Sequence, residues 1–138
     1  MKINIASNEV IHFIGIGGIG MSGLAHIMHN MDFQIQGSDL NSNKNTARLV
    51  KAGIKIYIGH NSINIKKATM VVVSSAIKKN NTELIASKVK KLPIFKRGEM
   101  LANIVALKKN IIIAGSHGKT TTTSLTANIL AEAGLDPT

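Results

Sequence analysis

Two patterns of apolar residues alternate along the chain, one typical of strands and the other of helices. Short apolar runs predict five strands, at residues 10–15, 33–39, 54–59, 70–76 and 92–96. A sixth run, NIIIAG at residues 110–115, predicts a sixth strand. Between these runs apolar residues recur every three or four positions, as with Leu24, Ile27 and Met28. This order predicts an α/β fold, a Rossmann-like parallel sheet with flanking helices, whose ligands bind beyond the carboxyl ends of the strands.

Capping residues predict where several helices begin and end. Asn41 and Ser42 can cap a helix that runs through Lys51, and Gly53 follows its end. Asn80, with Glu83 three residues later, resembles a capping box that opens a later helix. A final helix is predicted over residues 119–133.

The first glycine loop, GIGGIGMSG, follows the first predicted strand and opens a helix. Gly15, Gly17 and Gly20 have the G-x-G-x-x-G spacing, which suits a tight turn and close approach of the backbone to a nucleotide diphosphate. Ser22 could add a hydroxyl, and Asp39 stands where a ribose-binding acid belongs. A tight turn without a ligand, with Asp39 as a helix cap, is the alternative. The spacing does not choose between UDP and NAD.

The second glycine loop contains Gly118, Lys119 and Thr120 between an apolar run and a helix. Ile113 stands where the strict phosphate-loop pattern requires glycine, so that pattern is not met. The context still favours a nest of backbone N–H groups for an anion. Lys119 would neutralise the β- and γ-phosphates, and the Thr120 hydroxyl would bind Mg²⁺.

Other polar residues follow predicted strands and therefore lie at the ligand edge. His60 comes after the third strand, and Ser74 and Ser75 end the fourth, where they could bind a ligand or begin a turn. His26 and His29 have helical spacing, but no third metal ligand is evident, so we expect them to be exposed. No Ser/His/Asp triad or pair of carboxylates can be read from the sequence.

Composition narrows the function classes further. The 138 residues suffice for one domain with its own core, and the absence of cysteine excludes disulfides and cysteine-based metal sites. The net charge of +10 is dispersed, and aromatic content is only 3%, so we do not expect nucleic-acid binding. We see no signal peptide and no bilayer-spanning run, and we expect a cytoplasmic protein.

Five stretches in order carry a resemblance to a known family: HFIGIGGIGMSGLA, GSDL, VVVSSAI, RGEML and AGSHGKTTTTS. Together they resemble the amino-terminal part of the Mur ligases of peptidoglycan synthesis, over nearly the whole chain. The altered phosphate loop of that family, Gly-x-x-Gly-Lys-Thr, accounts for the failed strict pattern. One departure is Gly98, which stands where we expect alanine.

The resemblance implies a three-domain ligase that uses ATP and Mg²⁺ to join L-alanine to UDP-N-acetylmuramate through an acyl phosphate. It implies a Rossmann-like UDP-sugar-binding domain at residues 1–108 and the start of the central ATP-binding domain at residues 109–138. The implied UDP-sugar site comprises Gly15, Gly17, Gly18, Gly20, Met21, Ser22, Asp39, His60, Ser74 and Ser75. The implied ATP site comprises Gly115, Ser116, His117, Gly118, Lys119, Thr120 and Thr121, with Lys119 and Thr120 catalytic and Mg²⁺ on Thr120.

The family pattern continues beyond Thr138 with an acidic metal ligand, the rest of the ATPase sheet and a third domain. We therefore expect this chain alone to bind the UDP-sugar without ligating it. Two alternatives stay open: a dinucleotide-dependent oxidoreductase domain, and a nucleotide-binding module without chemistry. The expected partners are small molecules, with neither nucleic acid nor membrane insertion, and the sequence gives no oligomeric state.

Overall fold

A computed structural model describes the backbone of residues 5–114 and the side chains of residues 5–107. Five parallel strands form one sheet in the order β3-β2-β1-β4-β5. They are β1 (Val10–Ile14), β2 (Gln34–Asp39), β3 (Lys55–Ile58), β4 (Met70–Val73) and β5 (Ile94–Lys96). The predicted parallel α/β sheet is confirmed.

Helices connect the strands, as parallel pairing requires. They are α1 (Ile19–Asn30), α2 (Lys44–Lys51), α3 (Thr82–Val89) and α4 (Arg97–Ala114), with a short 3₁₀ turn at Ser62–Ile65 after β3. Among the described residues, 5–97 form one compact unit, and those from Gly98 onward belong to a second. Within the part of the chain described, no helix is both long and apolar enough to cross a bilayer.

The core is aliphatic and centres on the two middle strands. Ile11, Phe13 and Ile14 of β1 and Val71 and Val72 of β4 are all fully buried. Because consecutive residues of a strand face opposite sides of the sheet, both faces of these strands are covered. β-Branched and aromatic residues suit such strands, which explains why the sequence predicted them well.

Two helix caps differ from those predicted. Asn43, rather than Asn41 or Ser42, caps α2, because Asn43 and Thr46 bond each other's backbone N–H groups in a capping box. Gly53 follows the end of α2 as predicted, with φ +98°. Asn81, rather than Asn80, caps α3 by accepting from the N–H groups of the residues two and three positions later.

Helix α4 continues through Ala114, over residues 110–114 that were predicted to begin a sixth strand. The preference of isoleucine for strands depends on packing against neighbouring strands. No strand of the described sheet pairs with these residues, so their backbone groups bond within the helix instead. The prediction of a strand is therefore wrong for residues 110–114, and residue 115 lies outside the described residues.

Candidate functional site

The first glycine loop lies where the direction of strand order reverses. From β1 the chain proceeds to β2 and β3 on one side and then to β4 and β5 on the other. The loops after β1 and β4 therefore diverge, which leaves a crevice at the carboxyl ends of these strands. Gly15 has φ +86°, and a Cβ there would lie 3.0 Å from the Cβ of Ser74. Both the conformation and the close neighbour explain why glycine occupies this position.

Backbone hydrogen bonds hold the start of the loop against β2. The N–H groups of Gly15 and Ile16 both donate to the carbonyl of Ser38, each at 2.9 Å. The Gly17 N–H donates to Oδ2 of Asp39 at 2.7 Å. Glycine is needed at position 17, because a Cβ there would lie only 2.7 Å from that same oxygen.

Two asparagine side chains at the start of α2 hold the other side of Gly17. The amide nitrogens of Asn43 and Asn45 donate to its carbonyl, at 3.1 and 2.9 Å. Nothing in the sequence distinguished these asparagines from ordinary turn residues, so their role in the loop was not predicted.

The first turn of α1 has the properties of an anion site. Its N-cap is Gly18, which has no side chain to bond the first N–H groups, and the turn contains no acidic residue. The positive end of the helix dipole therefore has no carboxylate in this turn. Arg97 lies against this turn, since a Cβ at Gly20 would be 2.9 Å from its Nη1. A guanidinium and a row of backbone N–H groups together suit a phosphate or diphosphate.

Met21 and Ser22 are buried rather than open to a ligand. The Ser22 hydroxyl donates to the carbonyl of Ile19, at 3.1 Å. These side chains thus support α1, and a ligand could reach only their backbone groups. Gly18, by contrast, is exposed.

The predicted ribose-binding acid, Asp39, already accepts hydrogen bonds from backbone N–H groups of the protein. Its Oδ2 accepts from Gly17, and its Oδ1 accepts from the N–H of Leu40 at 2.8 Å. Ser74 also has an internal role, because its hydroxyl accepts from the N–H of Ala76 and so begins the turn after β4. Ser75 is exposed at the same edge.

A buried polar cluster beside the site was not predicted. Glu83, on the first turn of α3, is fully buried, and its two carboxylate oxygens accept from three side chains of the cluster. We call this group the Glu83 cluster; its members are His12, Gln36, Ser38, His60 and Glu83. Glutamate early in a helix is usually exposed, so no sequence signal pointed to it.

Hydrogen bonds keep Glu83 ionised in spite of its burial. Burial alone raises the pKa of a carboxyl group. Hydrogen bonds from His12, Ser38 and His60 outweigh that effect and hold the pKa of Glu83 below its ordinary value of 4.5. The cluster therefore contains a buried carboxylate whose charge is stabilised by its donors.

The remaining predicted residues fall into two groups. His26 and His29 are half-buried rather than exposed, and Nε2 of His29 lies 3.0 Å from the carbonyl of Ala52, so the expectation of exposure was wrong. Among the described residues, no three His, Asp or Glu side chains are arranged to hold a metal. The predicted ATP and Mg²⁺ residues lie outside the described residues: Gly115, Ser116, His117, Gly118, Lys119, Thr120 and Thr121.

Comparison with known proteins agrees with this geometry. The UDP-N-acetylmuramate–L-alanine ligase of Pelagibacter ubique is 66% identical over 138 residues, which are 100% of this chain and 30% of that protein. The chain therefore spans less than a third of the length of this curated relative.

Two solved structures share the fold. The UDP-N-acetylmuramate-alanine ligase of Thermotoga maritima has a TM-score of 0.70 and 31% identity, over 72% of this chain and 23% of that chain. A UDP-N-acetylmuramate:L-alanyl-gamma-D-glutamyl-meso-diaminopimelate ligase of Neisseria meningitides has a TM-score of 0.65 and 30% identity, over 91% and 40% of the two chains.

The sequence profile described as Mur ligase family, catalytic domain, matches residues 10–109. This match begins at β1 and includes the glycine loop, the Glu83 cluster and most of α4. The chain belongs to the Mur ligase family.

Proposed function

We propose that the chain is the amino-terminal part of an ATP-dependent ligase that joins L-alanine to UDP-N-acetylmuramate. Within it, residues 1–108 would form the UDP-sugar-binding domain and residues 109–138 the start of the central ATP-binding domain. The names of the relatives contain UDP-N-acetylmuramate and alanine, which supports the assignment of these two substrates. The observation that carries the proposal for this chain is the first turn of α1, which lies at the strand-order reversal beside Arg97.

The diphosphate of the UDP-sugar would bind at this first turn. Backbone N–H groups of residues 19–21 would donate to its oxygens, and the Arg97 guanidinium would neutralise part of its charge. Gly15 and Gly17 shape the loop, and Asp39 holds it through the Gly17 N–H. His60, Ser74 and Ser75, at the ends of neighbouring strands, would contact the remainder of the nucleotide sugar.

The ligase reaction needs ATP-binding and catalytic residues, and these 138 residues would supply only some of them. Bound ATP would supply the phosphoryl group that activates the muramyl carboxylate as an acyl phosphate for attack by the alanine amine. We propose that Gly115, Ser116, His117, Gly118 and Thr121 hold the ATP phosphates, with Lys119 and Thr120 in catalytic roles and Mg²⁺ on Thr120. We expect the 138-residue chain to bind the UDP-sugar without ligation, in the cytoplasm, where UDP-N-acetylmuramate and ATP would meet it.

Calorimetric titration of the chain with UDP-N-acetylmuramate, NAD and ATP tests the proposal. We expect the UDP-sugar to bind with measurable heat and NAD to give none. A coupled ADP-release assay with UDP-N-acetylmuramate and L-alanine should show no turnover by this chain. Binding of NAD without binding of the UDP-sugar would overturn the proposal in favour of a dinucleotide-dependent domain.

A dinucleotide-dependent domain would need Asp39 to bind a ribose. Both oxygens of Asp39 already accept from backbone N–H groups, so a ribose hydroxyl would have to share an oxygen with the N–H of Gly17 or Leu40. A nucleotide-binding module without chemistry would give the same titration result as a ligase domain. Ligation by the longer protein that contains this sequence would distinguish the two.

A further inference from the structure

The Glu83 cluster joins a helix to two strands and to the loop that follows a third. Glu83 belongs to α3, His12 to β1, and Gln36 and Ser38 to β2, while His60 follows β3. His12, Ser38 and Glu83 are 0% exposed, whereas the His60 side chain remains 16% exposed. His60 is therefore the most exposed member of the Glu83 cluster, since Gln36 is only 7% exposed.

The hydrogen bonds of Gln36 determine the state of His12. The Gln36 amide nitrogen donates to the carbonyl of Asn64 at 2.9 Å, which fixes the amide orientation because a carbonyl can only accept. The same nitrogen lies 2.9 Å from Nδ1 of His12, so Nδ1 accepts. Nε2 of His12 must then carry the proton that it donates to Oε1 of Glu83, at 2.6 Å. The proton of His12 that faces Glu83 is thus on Nε2.

The other carboxylate oxygen of Glu83 orients His60. Nδ1 of His60 donates to Oε2, and the Ser38 hydroxyl donates to the same oxygen at 2.7 Å. A buried carboxylate accepts only, so this contact places a proton on Nδ1 of His60. Nε2 is then the ring nitrogen of His60 that can bond to a ligand.

Ser38 connects this arrangement to the glycine loop. Its hydroxyl belongs to the Glu83 cluster, while its carbonyl accepts the N–H groups of Gly15 and Ile16. The next residue, Asp39, accepts from Gly17 and, through its carbonyl, from the N–H of Gly59 at 2.7 Å. His60 and the glycine loop are therefore held by the same two residues at the end of β2.

We propose that Glu83 is a positioning residue for nucleotide binding, which fixes the His60 ring so that Nε2 contacts the UDP part of the ligand. The proposal rests on the proposed function, since it assigns a further role within that same site. Glu83 itself does not touch the ligand, because it is fully buried behind His60 and Ser38. If Glu83 had a role in stability alone, the cluster would only attach α3 to the sheet, and the affinity for the nucleotide would not depend on the His60 ring.

The unaltered chain provides the first test, which requires no variant to fold. NMR of the histidine ring nitrogens should show the His60 proton on Nδ1, and saturating UDP should shift Nε2 of His60 and leave the His12 ring unchanged. If UDP or UDP-N-acetylmuramate binds by calorimetry and Nε2 of His60 does not shift, the positioning role is overturned and the proposed function survives. If neither ligand binds, the proposed function fails and this inference fails with it.

Variants test whether Glu83 acts through His60. We expect Glu83→Gln and His60→Gln each to weaken binding of UDP about five- to ten-fold, the loss of roughly one hydrogen bond. The double variant should be no weaker than His60→Gln, because the two residues act as a unit. Losses that multiply in the double variant would show that Glu83 acts independently of His60.

Leu84→Ala is the control for stability. Leu84 is the neighbour of Glu83 on α3 and packs with Ile14 and Val71, so its truncation destabilises the same helix without touching the Glu83 cluster. We expect UDP to bind this folded variant with unchanged affinity. An equal loss of affinity in Leu84→Ala and Glu83→Gln would reduce the role of Glu83 to stability and overturn the proposal.

Discussion

Oδ2 of Asp39 lies 2.7 Å from the backbone nitrogen of Gly17 and accepts its hydrogen bond. The glycine loop is thus held by a side chain from the end of the neighbouring strand, and the same carboxylate accepts from Leu40 through its other oxygen. Two backbone N–H groups thus have the Asp39 carboxylate as their acceptor, so a substitution of Asp39 should affect the loop directly.

Asp39→Asn should lower the free energy of unfolding by about 1–3 kcal/mol. Asparagine has one oxygen, so either the Gly17 or the Leu40 N–H loses its acceptor, and Gly17 is buried. Urea denaturation gives the measurement. The exposed Asp32, with φ 68°, is the control, because asparagine tolerates that conformation and Asp32→Asn should change stability by less than about 0.5 kcal/mol. Equal stability of the Asp39 variant and the unaltered chain would contradict the role assigned to this carboxylate.

Gly15→Ala should destabilise the chain more than Gly53→Ala. Both glycines have positive φ, at +86° and +98°, so both substitutions cost about 1–2 kcal/mol from backbone strain. A Cβ at Gly53 meets open space, whereas one at Gly15 meets the Ser74 Cβ at 3.0 Å. The difference in urea midpoint between the two variants measures that contact. A Gly53 variant as unstable as the Gly15 variant would show that the neighbour is unimportant.

Gly20→Ala should weaken UDP-sugar binding, whereas Gly23→Ala should not. Both glycines belong to α1, where alanine favours the helix by about 0.5–1 kcal/mol. A Cβ at Gly23 has no neighbour within 4 Å, but one at Gly20 would displace the Arg97 side chain, 2.9 Å away. Titration calorimetry should give about a ten-fold loss of affinity for Gly20→Ala, the equivalent of one charged hydrogen bond. Unchanged affinity in this variant would remove Arg97 from the proposed site.

Stability should fall in acid more steeply for the unaltered chain than for Glu83→Gln. Hydrogen bonds hold the pKa of Glu83 below its ordinary value of 4.5 in the folded state. The ionised carboxylate therefore stabilises the fold at pH values above 4.5, and this contribution is lost as the pH falls below 4.5 through the folded pKa. Urea denaturation at a series of pH values measures both slopes. Parallel curves for the two proteins would contradict a depressed pKa of Glu83.

The sequence predicted the features that depend on local pattern. Apolar periodicity located the five strands of the described sheet, and the spacing of Gly15, Gly17 and Gly20 identified the loop that the structure places at the reversal of strand order. Local pattern also predicted a strand at residues 110–114, where the structure has helix, because the isoleucines signal a strand only if another strand lies beside them.

The contacts that complete the candidate site depend on residues distant in sequence. His12 and Glu83 are 71 positions apart, and Asn45 is 28 positions from the glycine whose carbonyl it binds. A glutamate after a helix cap looks the same in the sequence whether it faces water or two histidines. Only the packing of α3 on the sheet distinguishes the two cases.

The pairing of β1 with β4 has a consequence for the order of folding. Val10 and Thr69, joined by a hydrogen bond at the start of this pair, are 59 positions apart, whereas β1 and β2 are separated by a single helix. Closing the longer segment costs more chain entropy, so we expect this pairing to form later than that of β1 with β2. The position of Ser74 beside the glycine loop depends on the pairing of β1 with β4. A partly folded chain with β1, β2 and β3 in place would therefore already have the Asp39 hydrogen bond to the loop and still lack one side of the crevice.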